Sequence, residues 1–291
     1  MTGLYELVTR PEELVDFHEP VLVIGLEGWI DAGLGAATAM AALLAASGTE
    51  VVATFDADDL LDHRSRRPVL RISEGVNAGL TWPEIELRAG RDPLGTPILA
   101  LTGPEPDHKW RAFTDAVAEL AAAFDVRLAV GLGAFPAPVP HTRPCRLAAT
   151  ATTPELAHQV GYVGGTLEVP AGVEAALEAR FAAAGVPAVG LWARVPHYVS
   201  AMPYPAASAM LLEGLSAVAG VTVEVDTLLE AAEEAGRRID ELIGANPEHV
   251  ELVRRLEEQV DAETAQMSGF GPIPSGDEIA AELERFLRDE R

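Results

Sequence analysis

Residues 21–31 of the chain read VLVIGLEGWID, an uninterrupted apolar run that leads into a glycine-containing turn. A continuous apolar run of this length is typical of a strand that is buried on both faces of a parallel sheet. Asp31 is placed to cap a helix that ends at Gly48, and residues 51–55 then return to a strand pattern. The segment therefore predicts a β-α-β unit, the building block of an α/β fold.

The same alternation of short apolar runs and amphipathic stretches continues to about residue 220. Further strands are predicted at Ile98–Thr102, Leu128–Leu132 and Ala188–Arg194, and further helices at residues 109–124, 172–183 and 206–218. A small peripheral hairpin is predicted from Leu70–Ile72 and Ile85–Leu87, with Gly75, Asn77 and Gly79 in its loop. Residues 1–220 are therefore predicted to form an α/β core domain.

Past residue 220 the composition becomes strongly acidic, with 19 acidic and 7 basic side chains in residues 221–291. Two apolar stripes at helical spacing lie on either side of a break at Asn246-Pro247. The first stripe consists of Leu228, Ala232, Ala235, Ile239 and Leu242, and the second of Val250, Val253, Leu256 and Val260. The pattern predicts an acidic helical appendage over residues 221–291, built as an antiparallel hairpin and followed by a Gly/Pro linker (268–275) and a short helix (279–287).

The overall composition restricts the class of protein. The chain has 291 residues and a formal net charge of −24, which argues against nucleic acid binding because that binding depends on Lys and Arg neutralising phosphates. No apolar run reaches the roughly 18 residues that a membrane-spanning helix needs. The single cysteine, Cys145, excludes an internal disulfide framework, and the N-terminus has no signal-peptide pattern. These features predict a cytoplasmic protein that contacts neither membrane nor nucleic acid.

The sequence motifs for cofactors and metals are incomplete. Two glycine pairs, in residues 33–38 and 131–136, imitate G-x-G-x-x-G, but the first falls inside a predicted helix and the second continues into prolines. The seven histidines form no H-x-x-x-H pair, and no G-x-S-x-G elbow is present. No cofactor and no metal site is therefore predicted, and no catalytic residue is assigned.

The ends of the predicted strands carry the side chains best suited to catalysis or ligand binding. In open α/β sheets, ligands bind outside the carboxyl ends of the strands. The candidate pocket at that edge consists of Glu27, Trp29, Asp31, His141, Arg143, His197 and Tyr198. His141 has the chemistry of an acid or base, and Arg143 that of a bidentate anion ligand.

Each of these residues also has a structural interpretation. Capping a helix explains Asp31 without any ligand. The segment around His141 and Arg143 contains four prolines, and the two side chains could simply satisfy buried carbonyls of a stiff loop. Cys145 would need a neighbouring base and exposure to act as a nucleophile.

Four short segments together resemble the actinobacterial branch of the proteasome assembly chaperone 2 family. They are GLEGWIDAG (25–33), GPEPDHKW (103–110), PHTRP (140–144) and VPHY (195–198). The resemblance covers residues 5–265 and implies a three-layer α/β/α fold similar to the purine nucleoside phosphorylase-like group, a cytoplasmic location and self-association. Eukaryotic relatives assist assembly of the proteasome α-ring, and archaeal relatives are ring-like homo-oligomers. The C-terminal Asp289-Glu290-Arg291 departs from the hydrophobic–tyrosine–any-residue tail by which some relatives dock on proteasomes.

Three hypotheses for function follow. The first is a non-enzymatic, self-associating assembly factor whose partners are proteasome subunits or accessory factors. The alternative is an enzyme or sensor that binds an anionic metabolite or a nucleoside-like molecule in the strand-end pocket. In the third, the strand-end loops form a subunit interface and the helical hairpin is the assembly element.

Overall fold

The computed structural model describes residues 3–267 apart from Trp29 and Val163, so the predicted linker (268–275) and final helix (279–287) lie outside the described residues. The strands are β1 (Tyr5–Leu7), β2 (Val21–Glu27), β3 (Glu50–Phe55), β4 (Val69–Ser73), β5 (Val76–Thr81), β6 (Glu86–Arg91), β7 (Pro97–Pro104), β8 (Leu128–Ala137), β9 (Leu147–Ala151) and β10 (Ala188–Pro196). The helices are α1 (Gly35–Ser47), α2 (Ala57–Leu60), α3 (Trp110–Ala123), α4 (Pro154–Val160), α5 (Val173–Ala184), α6 (Pro205–Ala219), α7 (Asp226–Gly244) and α8 (Pro247–Met267).

Eight strands form one mixed sheet in the order β1-β3-β6-β7-β2-β8-β10-β9. The four central strands, β7, β2, β8 and β10, run parallel, and the outer strands pair antiparallel. The apolar run that starts at Val21 is therefore the central strand β2, as its sequence predicts. Since parallel strands end at a common edge, the segments that follow β2, β8 and β10 meet there.

Successive residues of β2 belong to two different apolar cores. Val21 and Val23 pack in the core under α1 and α6, whereas Leu22 and Ile24 pack in the core under α3 and α5. This alternation follows from the two-residue period of a strand. With helices on both faces, the chain forms the predicted three-layer α/β/α fold. The likeness to the purine nucleoside phosphorylase-like group stays a prediction.

The predicted strands in the core are confirmed, and each is longer than its apolar run. Two strands of the sheet, β1 and β9, are absent from the sequence prediction, and β6 overlaps it only at residues 86–87. Strand β6 carries Glu86, Arg88 and Arg91 among its six residues, and the Arg88 guanidinium is neutralised by Glu86 at 2.7 Å. A strand with this many charges lacks the apolar run on which the prediction relied.

The predicted pairing of the peripheral hairpin is wrong. Strand β4 pairs with β5, with Val69 opposite Thr81, and residues 86–91 join the main sheet instead. Glu74 and Gly75 both have positive φ, at 49° and 83°, and form the two-residue turn of a tight β-hairpin. Asn77 and Gly79, which were predicted in the loop, therefore lie within β5.

The first glycine pair lies only partly inside the predicted helix. Gly33 lies in a short 3₁₀ turn (Ala32–Leu34), and α1 begins only at Gly35. Gly131 lies in the strand predicted at Leu128–Leu132, and β8 extends that strand through Gly133 to Ala137. A Cβ on Gly133 would stand 2.3 Å from the Trp192 ring, so this glycine is explained by close packing between β8 and β10.

The predicted antiparallel helical hairpin is present as α7 and α8. Ile239 on α7 is buried in the core beside α6, and Val253, Leu256 and Val260 of α8 are buried as well. Leu242, however, is 60% exposed, so its assignment to the buried stripe is wrong; Ile243 packs on the core in its place. The division of the chain into two domains at residue 220 stays a prediction.

Candidate functional site

The residues predicted at the ends of β8 and β10 meet beneath the helical hairpin. Tyr198 accepts a hydrogen bond from the backbone N–H of His141 at 2.9 Å, and its hydroxyl lies 2.7 Å from Nδ1 of the same histidine. Burial raises the pKa of Tyr198 to about 12. When the hydroxyl donates to Nδ1, Nε2 is the ring nitrogen that carries the proton.

Nε2 of His141 lies 3.0 Å from Oδ1 of Asp240, a residue of α7. The His141 side chain is only 3% exposed, so both ring nitrogens are committed to protein partners. A continuous hydrogen-bond chain thus runs from Tyr198 through His141 to Asp240. This arrangement holds α7 against the end of β10 and leaves His141 no nitrogen free for a ligand.

Arg143 makes the corresponding contact with α8. Its Nε and Nη2 donate to the two carboxylate oxygens of Asp261 at 2.8 and 2.7 Å, and Nη1 lies 3.1 Å from Glu257. The bidentate geometry is the one that suits a guanidinium and a carboxylate. The hydrogen bonds from Arg143 lower the pKa of Asp261 below its usual range. Thr142 also donates to Glu257, at 2.5 Å.

We call these contacts of His141, Thr142 and Arg143 with Asp240, Glu257 and Asp261 the hairpin latch. Arg143 thus uses its bidentate geometry on carboxylates. The carboxylates come from the same chain, about 115 residues away in sequence. The local spacing of the motif contains no information about such distant partners.

A small cavity remains beside the latch. It is lined in part by Pro144, Cys145, Arg194 and Tyr204 and holds a volume of about 20 Å³, enough for roughly one water molecule. Burial raises the pKa of the Cys145 thiol to about 12. The thiol donates to the carbonyl of Arg194 at 3.5 Å. Cys145 therefore lacks the thiolate character that a nucleophile needs.

His197 also packs edge-on against the Tyr198 ring. The two ring centroids are 5.4 Å apart, while that of His141 is 5.8 Å from Tyr198. His197 is exposed, and its Nδ1 is 3.4 Å from the carbonyl of Ala137. The structure therefore brings both predicted histidines to one tyrosine, but in two different environments.

The predicted carboxylates at the end of β2 are separate from this cluster. Asp31 accepts hydrogen bonds from the backbone of Ala36 at 2.7 Å and Ala37 at 2.9 Å, so it caps α1 as its position predicts. Glu27 is exposed, and its carbonyl accepts from the N–H of Glu105 at 2.7 Å. Among the described residues, no hydrogen bond or ion pair joins Glu27 or Asp31 to the latch; Trp29 lies outside them.

Sequence reasoning missed a second group of carboxyls on α5, opposite the glycines of β8 and β10. Burial raises the pKa of Glu174 well above its usual range, and nearby Glu105, Asp31 and Glu178 raise it further. Burial also raises the pKa of Glu178, which accepts from Thr150 at 2.7 Å. The available signal was a Glu pair at i, i+4 on a helix that packs on glycine-containing strands.

The raised pKa predicts how Glu174 affects stability with pH. A carboxyl whose pKa is higher in the folded state binds more protons there than in the unfolded chain, so its contribution to stability falls as the pH rises. Glu174→Gln removes the ionisable proton and keeps an acceptor for the Leu26 backbone. We expect the variant to melt at least about 2 °C higher than wild type at pH 8, with a smaller gain at pH 5.

Melting curves at the two pH values check this expectation. Glu168→Gln is the matched control because Glu168 is exposed and should leave the melting temperature unchanged at both. An equal gain for Glu174→Gln at pH 5 and pH 8 would mean that the carboxyl does not titrate as described.

The described residues contain neither a membrane-spanning helix nor a metal-binding cluster. No helix there is both long and apolar enough to cross a bilayer. In the same part of the chain, no group of three or more His, Cys, Asp or Glu side chains is arranged to hold a metal ion.

Comparison with known proteins adds the family context. The PAC2 family model matches residues 25–243. A Mycobacterium tuberculosis protein of unknown function is 40% identical, with 91% of this chain and 93% of that chain covered and a TM-score of 0.82. A Corynebacterium glutamicum protein of unknown function is 34% identical, with 90% and 98% covered and a TM-score of 0.83.

A third solved structure has a functional description. It is the proteasome-assembly chaperone homologue of Mycobacterium tuberculosis, which is 35% identical, with 80% of this chain and 99% of that chain covered and a TM-score of 0.75. The comparison with curated proteins gives no match.

Proposed function

Because this chain belongs to the PAC2 family, we propose that it is a non-enzymatic assembly factor that associates with itself and with proteasome subunits or their accessory factors. The relative described as a proteasome-assembly chaperone homologue shares more than a third of its sequence with this chain over nearly its whole length. We place this activity in the cytoplasm, in keeping with the charge and cysteine content of the chain.

The observation that carries the proposal is the hairpin latch. The strand-end residues that an enzyme of this fold class would present to a ligand are bonded to the chain's own α7 and α8. Arg143 is held by Glu257 and Asp261, and His141 by Tyr198 and Asp240. These side chains therefore hold α7 and α8 in place, and the two helices present a fixed surface to a protein partner.

The alternative of an anionic-metabolite or nucleoside-like site has no observation in its favour among the described residues. An anion at Arg143 would have to displace two carboxylates that already satisfy the guanidinium. The neighbouring cavity of about 20 Å³ is far below the ~300–1,000 Å³ of typical ligand pockets.

The proposal is tested by affinity purification of the tagged full chain from its native cells at modest salt, followed by reconstitution with purified proteasome α-subunits. We expect co-purification of α-subunits or an accessory factor, and a faster appearance of assembled rings when the protein is added. The same tag on an unrelated acidic protein is the control. Recovery of the protein alone, together with unchanged ring assembly, would contradict the proposal.

A further inference from the structure

The hairpin formed by β4 and β5, which we call the arm, stands apart from the main sheet. It forms a separate two-stranded sheet, and every residue of both strands is exposed. Its apolar side chains are nevertheless large: Val69, Leu70, Ile72, Val76, Leu80 and the adjacent Trp82 are between 45% and 69% exposed. Several large apolar side chains exposed on one element usually mark a contact with another protein.

The base of the arm is fixed to the body. The Trp82 ring packs edge-on against His63 with centroids 4.8 Å apart, and His63 in turn lies 2.9 Å from Asp58. Arg66 pairs with Asp107 at 3.2 Å. Because an isolated two-stranded hairpin is only marginally stable in water, the rest of the arm needs a further surface to cover it.

The basic residues lie mainly in the segment that leads into the arm: residues 64–68 hold Arg64, Arg66 and Arg67, whereas the arm itself holds one arginine, Arg71, and one glutamate, Glu74. Residues 64–82 contain four arginines and one glutamate, a net charge of 4 − 1 = +3 in a chain of net charge −24. Arg64, Arg67 and Arg71 are exposed and make no ion pair within the described residues. The partner should therefore be acidic and carry exposed apolar groups.

The turn between α7 and α8 meets both requirements. Leu242 is 60% exposed and Val250 is 48% exposed. Next to them lie Glu241 and Glu248, two exposed carboxylates whose side chains make no ion pair in the described part of the chain. We call these four residues the hairpin tip.

The arm and the helical hairpin are attached at different parts of the main sheet. The arm leads into β6, the third strand in the sheet order, whereas the latch holds the helical hairpin to the loops that follow β8 and β10, the sixth and seventh strands. The two surfaces therefore suit a contact between two molecules.

From this we propose that the apolar arm of one copy, together with the basic segment that leads into it, docks on the acidic hairpin tip of a second copy. The inference rests on the self-association in the proposed function and names the surfaces that produce it. A contact between two different surfaces is head-to-tail, and repetition of such a contact closes into a ring when the rotation allows.

Charge reversal on each side tests the pairing. The arm variant carries Arg67→Glu and Arg71→Glu, and the tip variant carries Glu241→Arg and Glu248→Arg. We expect wild type to self-associate in sedimentation velocity, and each variant alone to show at least a tenfold higher dissociation constant. In an equimolar mixture, the arm of each variant can meet the tip of the other variant with opposite charge. The dissociation constant of the mixture should therefore return to within about threefold of the wild-type value.

Each other outcome overturns the inference. A monomeric wild type, a variant that associates like wild type, or a mixture that stays dissociated would each be incompatible with arm-to-tip docking. Circular dichroism of both variants shows whether they remain folded; if the arm variant does not, Ile72→Asp tests the same surface through its 64% exposed side chain.

The same variants separate this inference from the proposed function. A monomeric arm variant that still accelerates α-subunit assembly would leave the proteasome role intact while assigning self-association to the arm. Normal arm-to-tip association without any effect on α-subunits would refute the proteasome role alone.

Discussion

Replacing Gly103 by alanine is expected to cost about 3–5 kcal/mol of folding free energy, the largest single effect among the glycines of the sheet. Gly103 lies near the end of β7 with φ at 117°, a conformation that side-chain-bearing residues rarely adopt. A Cβ at this position would stand 2.2 Å from the carbonyl oxygen of Glu84 and 2.8 Å from Cα of Ile85. Both obstacles are backbone atoms, so β6 would have to move away from β7.

Urea denaturation of Gly103→Ala measures this cost. Gly95→Ala is the matched control: Gly95 has φ at 91° in the turn between β6 and β7, but a Cβ there meets nothing within 4 Å. We expect Gly95→Ala to lose about 1–2 kcal/mol of unfolding free energy, the cost of a positive φ for a residue with a side chain. Equal losses in the two variants would show that contact with Glu84 and Ile85 does not matter.

Replacing Ile239 by alanine should destabilise the protein by about 2–4 kcal/mol. Ile239 is 3% exposed and packs into the core that also contains Leu211 and Leu215 of α6. Truncation removes three methyl or methylene carbons and leaves a cavity between α7 and the core. Chemical denaturation of the full chain gives the difference in unfolding free energy.

Leu242→Ala is the informative control because the sequence places both residues on one stripe. The structure leaves Leu242 60% exposed, so at concentrations where the protein is monomeric its truncation should change the unfolding free energy by less than about 0.5 kcal/mol. Similar losses for the two variants would mean that the stripe packs as the sequence predicts and not as the structure describes.

The features that could be predicted from sequence are those with a local pattern. The apolar run from Val21 to Gly25 predicts a strand buried on both faces, and the position of Asp31 predicts a helix cap. The spacing of Leu228, Ala235 and Ile239 gave α7 and its buried side. In each case, one element contains all the residues that carry the signal.

The features that could not be predicted depend on contacts between distant segments. His141 and Asp240 are 99 residues apart, and Arg143 and Asp261 are 118 apart, so nothing in the proline-rich motif indicates an acidic partner. Glu174 owes its raised pKa to burial by the surrounding fold, which its own helix does not reveal. The sequence therefore indicates that His141 and Arg143 follow a strand, but it does not indicate which side chains they contact.

The hairpin latch and the apolar contacts of α7 respond differently to ionic strength. The carboxylates of Glu257 and Asp261 on α8 are partly exposed, so dissolved ions screen their attraction to Arg143. Ile239 holds α7 through burial, which screening does not weaken. In concentrated salt, the Arg143 contacts should thus weaken while the buried side chains of both helices, among them Ile239 on α7 and Val253 on α8, stay packed. The turn of α8 that follows Val260 then becomes the part of the helical hairpin most sensitive to ionic strength.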